Sequence, residues 1–133
     1  MKDLRMNKRI VEIASKEAAK STFRYRVGAV IHKKGRVVAV GFNDGECTHP
    51  MGQIGSFNTC KHAEISALLR AKRADLSRCE ITVVRLIKSG ELAMAKPCRK
   101  CTLELMKKRV KRIHFSNEDG NVVTLLLVGD KYE

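Results

Sequence analysis

Tryptophan is absent from this chain, and aromatic residues of all kinds make up only 5% of it. Proteins that grip single-stranded nucleic acid by stacking successive bases need such rings, so that mode of binding has little to work with. No apolar run approaches the ~20 residues that cross a bilayer as a helix, and the opening MKDLRMNKRI lacks a signal-peptide core. These absences predict no membrane partner and a cytoplasmic protein in a reducing compartment. Prolines number two, and no repeat, linker or low-complexity tract divides the chain, so a single domain over 1–133 is expected. Acidic residues are also scarce: 14 Asp and Glu stand against 27 Lys and Arg, a net charge of +13. Such a field draws phosphates, whether on a nucleotide or along a nucleic acid. The basic residues are spread along the chain, with one denser block at Lys107, Lys108, Arg109, Lys111 and Arg112. Charge alone therefore points to no particular groove and fits a merely solvated surface equally well.

What is present is a clear alternation of patterns. Residues 3–20 carry apolar positions at helical spacing. Arg26 to His32 and Arg36 to Phe42 are Val-rich and flank Lys33-Lys34-Gly35, which predicts a hairpin. A long Gly-containing stretch, Asn43 to Thr59, reads as a binding loop. His62 to Arg73 reads as a helix, Glu80 to Ile87 as a strand, Cys98 to Arg109 as a helix, and Val110 to Phe115 and Val122 to Val128 as strands joined by Glu118-Asp119-Gly120-Asn121. The order α-β-β-α-β-α-β-β implies an α/β layer structure around one sheet, its last two strands antiparallel because their connection is too short for a helix.

Five cysteines are an odd number, and Cys98 and Cys101 have metal spacing rather than disulfide spacing. They stand three apart at a helix start behind Pro97, on one face, where the positive end of the helix favours thiolates. His62, at the start of another helix, can complete a set of three soft ligands. A closed structural zinc site takes four protein ligands, and a catalytic one takes three. Glu64, two residues after His62, is then a carboxylate free to move protons. Zinc in such a site makes water acidic at a pKa of about 7.

The phrases CKHAEISAL (60–68) and AKPCRKC (95–101) contain His-x-Glu followed by Pro-Cys-x-x-Cys, the signature of zinc nucleobase deaminases. With the opening helix, the VGAVI hairpin and Gly41-Phe42-Asn43, they make the chain resemble the cytidine and deoxycytidylate deaminase superfamily over most of its length. The resemblance implies a three-layer α/β/α fold with a five-stranded mixed sheet. It also implies that His62, Cys98 and Cys101 bind Zn2+, that Glu64 takes a proton from the zinc water, passes it to the ring nitrogen and then helps the amino group leave as ammonia, that the Ala63 backbone meets the base, and that Asn43 bonds the sugar. The implied substrate is a cytosine-bearing nucleotide or nucleoside, deoxycytidylate first, and the implied assembly a homo-oligomer. Histidine as first ligand is similar to the nucleotide and nucleic-acid branches, whereas the terminal hairpin is similar to the free-nucleoside branch. Residues 47–50 and 86–96 resemble small deoxycytidylate-deaminase-like proteins of phages and other viruses. Lys96 departs from the Glu or Ser that many relatives carry before the Pro.

Rival readings stay open at this point. A deaminase that edits cytosine or adenine in single-stranded DNA or RNA would suit the charge, and an inactive zinc-stabilised binding module would suit the ligands. Cys60 could close the metal site as a fourth ligand, and Cys47, His49 and Cys60 could hold a second metal. Cys79 reads as a buried small hydrophobe, and His32 and His114 as satisfied strand histidines.

Overall fold

The computed structural model describes residues 4–22, 25–43, 62–73 and 75–127. Its elements run α1 (Leu4–Ala18), β1 (Arg26–Lys33), β2 (Arg36–Phe42), α2 (Ala63–Ala71), β3 (Glu80–Leu86), β4 (Leu92–Ala93), α3 (Arg99–Lys107), β5 (Arg112–Ser116) and β6 (Val122–Leu126). The strands form one mixed sheet in the order β2-β1-β3-β5-β6. β1 is antiparallel to β2 and β3, β3 runs parallel to β5, and the β5–β6 pair is antiparallel, as its short connection requires.

The five expected strands are present, and β4 is an addition to them. It pairs Ala93 with Arg85 and Leu92 with Leu86, along the part of β3 that β5 does not reach. Two residues cannot display an alternation, so the sequence carried no sign of it. The buried Ser116 hydroxyl donates to the Ala93 carbonyl at 2.6 Å, and the Ala95 amide donates to the Ser116 carbonyl at 2.8 Å. This short strand thereby ties the approach to Pro97 and Cys98 onto β5.

Helices cover both faces. On one, Ile10 and Ala14 of α1 bury against Val30 and Val84. On the other, Ala63 and Leu68 of α2 and Cys101 and Leu105 of α3 pack on Ala29, Ile31, Ile81, Val83, Ile113 and Phe115. Successive strand residues point to opposite faces, so one sheet supplies both cores. Two glycines set how closely the helices approach. A β-carbon at Gly28 would collide with the Ala14 carbonyl oxygen, and one at Gly41 would stand 2.5 Å from the Ala67 nitrogen and 2.7 Å from the Ala63 oxygen. Gly41 thus lets α2 lie directly on β2 and fixes where the helix start falls.

Candidate metal centre

α2 and α3 both begin at the same place. His62 is the N-cap of α2, with extended backbone and no capping bond from its side chain. Ser, Thr, Asp or Asn would cap better, so the helix forgoes that stabilisation and leaves the imidazole free. Cys98 is the N-cap of α3, and its sulfur accepts a hydrogen bond from the Cys101 amide at 3.5 Å. The Thr102 amide and hydroxyl both donate to the Cys98 carbonyl, at 2.9 and 3.0 Å, and hold the turn closed.

These caps bring three donors together. His62 Nδ1 lies 3.3 Å from Cys101 Sγ and 3.8 Å from Cys98 Sγ. Zn–N and Zn–S bonds of about 2.0 and 2.3 Å at tetrahedral angles require donor separations of roughly 3.6 Å, which these distances bracket. One nitrogen and two sulfurs at that spacing fit zinc. Burial is graded, with Cys101 buried, His62 half-buried and Cys98 exposed, so the cluster opens on the Cys98 side.

Electrostatics divide the two thiols. Cys98 falls to about 4, chiefly because the Cys101 thiol hydrogen-bonds to it, with the Cys101 amide and His62 adding to the effect. Cys101 is pushed up by that same bond, by burial and by nearby Glu64. Bound zinc would deprotonate both.

Glu64, in the first turn of α2, is 5% exposed. Its carboxyl group is within hydrogen-bonding reach of Cys101, and burial raises its pKa against the opposing pull of its own backbone amide and His62. Three donors and one buried carboxyl group of raised proton affinity therefore meet where two helices start. Ala63, between His62 and Glu64, is 1% exposed and packs in the core.

Asn43 is also buried, and its amide is engaged with the chain itself. Its Oδ1 accepts from the Val27 amide at 2.9 Å, and its Nδ2 donates to the Tyr25 carbonyl at 2.6 Å. It pins the end of β2 to the start of β1, and one N–H of the side chain is left over. Arg85 of β3 lies with its guanidinium 4.5 Å from the Tyr25 ring centroid. Its buried Nε has no hydrogen-bond partner among the described residues.

The other expectations separate cleanly. Cys79 is buried in the core, and burial raises its pKa. His32 and His114 are satisfied: His32 Nε2 is hydrogen-bonded to Thr82 Oγ1 at 2.8 Å, and His114 is hydrogen-bonded to Thr124 Oγ1 at 2.8 Å and Glu80 Oε1 at 2.6 Å. With Glu80 they form a second group of three metal-capable side chains. Glu80 already accepts from Arg112 at 2.9 Å, so the group reads as a hydrogen-bonded network. Cys47, His49, Cys60 and the loop beyond Asn43 lie outside the described residues. Among those described, no helix is long and apolar enough to cross a membrane.

Residues 4–117 match the family model described as the cytidine and deoxycytidylate deaminase zinc-binding region, and the chain belongs to that family. An uncharacterized deaminase in the luxG 3'region of Aliivibrio fischeri is 33% identical over 98 residues, covering 67% of this chain. The chain matches 56% of that relative's length. The dCMP deaminase of cyanophage S-TIM5 superposes with a TM-score of 0.65 at 22% identity, covering 88% of this chain and 86% of its own. The cytidine deaminase of Burkholderia pseudomallei gives 0.65 at 21% identity, covering 90% and 91%. At those identities the two structures speak for the fold, a cytidine-deaminase-like α/β/α sandwich.

Proposed function

We propose that this member of the zinc-binding deaminase family hydrolyses the exocyclic amino group from a cytosine-bearing nucleotide or nucleoside, with deoxycytidylate as the leading substrate. The observation that carries the reading is Glu64: a buried carboxyl group with raised proton affinity, beside a three-donor metal set and not needed to complete it. A closed structural site would have no use for it.

In this reading His62, Cys98 and Cys101 hold Zn2+. Zinc at such a site supplies Lewis acidity and makes water acidic enough to serve as a nucleophile near neutral pH, at a pKa of about 7. Glu64 takes a proton from the attacking water and delivers it to N3 of the ring. Once the C4–O bond has formed, the same carboxylate takes the second proton from the new C4 hydroxyl and passes it to the amino nitrogen; the C4–N bond then breaks, C4=O forms and ammonia leaves. Burial raises the proton affinity of Glu64, which favours its holding a proton between the two transfers. In the same reading the Ala63 backbone meets the base, and the remaining N–H of Asn43 donates to the sugar.

The +13 charge favours a second reading, in which the cytosine arrives on a single strand. A mass-spectrometric panel of cytidine, deoxycytidine, their monophosphates, single-stranded DNA and RNA separates the two. Deamination of monomers with deoxycytidylate preferred supports the first reading. Turnover confined to polymers sinks it, and an unreacted panel sinks both.

A further inference from the structure

The basic residues are scattered in sequence, yet the topology gathers many of them at one end of the molecule. The β1–β2 turn carries exposed Lys34 and Arg36. His32 pairs with Glu80, and Glu80 with Arg112, so this turn lies at the same sheet end as the starts of β3 and β5. Exposed Arg78 and Lys111 precede those strands, and the Lys111 amide donates to the Cys79 carbonyl at 2.9 Å. Both metal-bearing helices finish here as well. α2 ends at Lys72 and Arg73, and Arg73 and Lys33 are close enough to Cys79 for their charges to act on its thiol. α3 ends at Lys108 and Arg109, and the Lys108 carbonyl accepts from the Leu76 amide at 2.7 Å.

Acidic groups at this pole do not neutralise it. Glu80 is held by Arg112 and His114, Glu104 pairs with Lys107, and exposed Asp75 accepts from the Ser77 amide. Lys34, Arg36, Lys72, Arg73, Arg109 and Lys111 have no ion-pair partner among the described residues.

A second observation is independent of charge counting. Among the described residues, three that are not glycine have a left-handed backbone: Lys34 at φ 51°, Lys72 at 52° and Arg109 at 68°. All three lie at this pole and all three are basic. Glycine is the favoured residue after a helix and in such a hairpin turn, because a β-carbon is disfavoured there. The helix dipole favours a cation near Lys72 and Arg109 but says nothing of Lys34 in its hairpin. The backbone thus takes a left-handed conformation at three exposed basic positions on this surface.

We infer that this basic pole is a binding surface for the phosphodiester backbone of nucleic acid, separate from the metal centre. The helices that join the two are nine residues each, so about 14 Å of helix lies between them. The one large aromatic exposed among the described residues is Tyr25, at the opposite end of β1. Recognition at the pole therefore rests on phosphate contacts without base stacking, and it is insensitive to sequence.

The test uses the zinc-loaded full chain and a fluorescent 20-base-pair DNA duplex of arbitrary sequence, with anisotropy measured across a salt series. Lys72→Gly with Arg109→Gly removes two charges where glycine relieves the backbone. It should weaken binding at least about tenfold at low salt and reduce the log–log salt slope by roughly two. The thermal midpoint should hold or rise, and zinc content should not change. Arg36→Glu with Lys111→Glu provides a second pair, expected to weaken binding further. Lys16→Ala with Lys88→Ala removes two exposed charges away from the pole and should leave affinity within about twofold. The inference is overturned if both pole pairs bind like the parent, or if the Lys16 and Lys88 pair loses as much, which would make binding a property of net charge. Phosphatidylserine vesicles bound as tightly as the duplex, with the same sensitivity to the pole variants, would also overturn it in favour of a membrane surface.

Discussion

His62 Nδ1 sits 3.3 Å from Cys101 Sγ although 39 residues separate them in sequence. Each is held by a different helix start, and the sheet beneath fixes the two helices relative to each other. The candidate metal centre is therefore a product of packing, and in the proposed reading loss of zinc should be felt by the fold.

Cys101→Ala removes a buried donor, so zinc content measured by atomic spectrometry should fall from about one per chain to near zero, with a lower thermal midpoint. Structural and catalytic readings part at Cys60. Cys60→Ala should keep both zinc and turnover, because three protein ligands already suffice. Loss of zinc in Cys60→Ala would make the site four-coordinate and closed, and the proposed chemistry would be wrong.

Glu64→Gln keeps the shape of a buried side chain and removes its acid–base function. Turnover should drop by about 10²–10⁴-fold, the usual contribution of a positioned proton carrier, while zinc content stays at the parental level. Stability should be unchanged or higher, because a titratable group leaves the interior. Near-parental turnover in this variant would remove Glu64 from the mechanism.

Gly41→Ala puts a methyl group within 2.5 Å of the Ala67 nitrogen, backbone that cannot swing aside. Overpacking of this kind costs about 1–3 kcal/mol. Here it also pushes α2 from β2 and carries His62 and Glu64 with it, so kcat should fall by more than the folded fraction does. Circular dichroism melts paired with turnover at a temperature where the variant is fully folded would reveal this. Unaltered kcat there would mean that α2 is not what positions the site.

His32 has its pKa lowered to about 4, first by burial and then by His114, with Glu80 opposing. The unfolded chain binds a proton near pH 6.5, so it takes up more protons than the native state on acidification. The contribution to stability is full above about pH 6.5, is lost as pH falls, and is gone by about pH 4. The total is on the order of 3 kcal/mol. Chemical denaturation at pH 7, 6 and 5 should show a steeper loss in the parent than in His32→Gln, with the zinc ligands common to both. Parallel slopes would show that His32 does not titrate this way. Glu80, whose pKa is lowered by His114 and Arg112 despite its burial, adds loss in the same direction at more acid pH.

The main elements were legible because their cues are local. Helical spacing marked α1 and α2, Val-rich runs around Gly35 marked the hairpin, and expected and observed limits differ by a few residues at fraying ends. β4 was not legible, since two residues show no period and the strand exists only where β3 and Ser116 receive it. The resemblance implies a sugar contact for Asn43; that two of its amide bonds also close β2 onto β1 depends on which strand lies beside it, which no local cue shows.

By itself, the sequence determined the kinds of chemistry available. The donor types, the three-residue step between Cys98 and Cys101, and the carboxylate two residues after His62 are all written in short motifs, because ligand identity and helix phase are local properties. Tertiary structure alone decided what those groups do to one another. It joined His62 to a pair of cysteines more than 35 residues away, buried Glu64 enough to raise its proton affinity, and collected at one pole basic residues that are dispersed along the chain. The physical reason is that charge and proton affinity depend on distance and burial in space. With β1 between β2 and β3, and α2 and α3 starting together, the sheet order sets both.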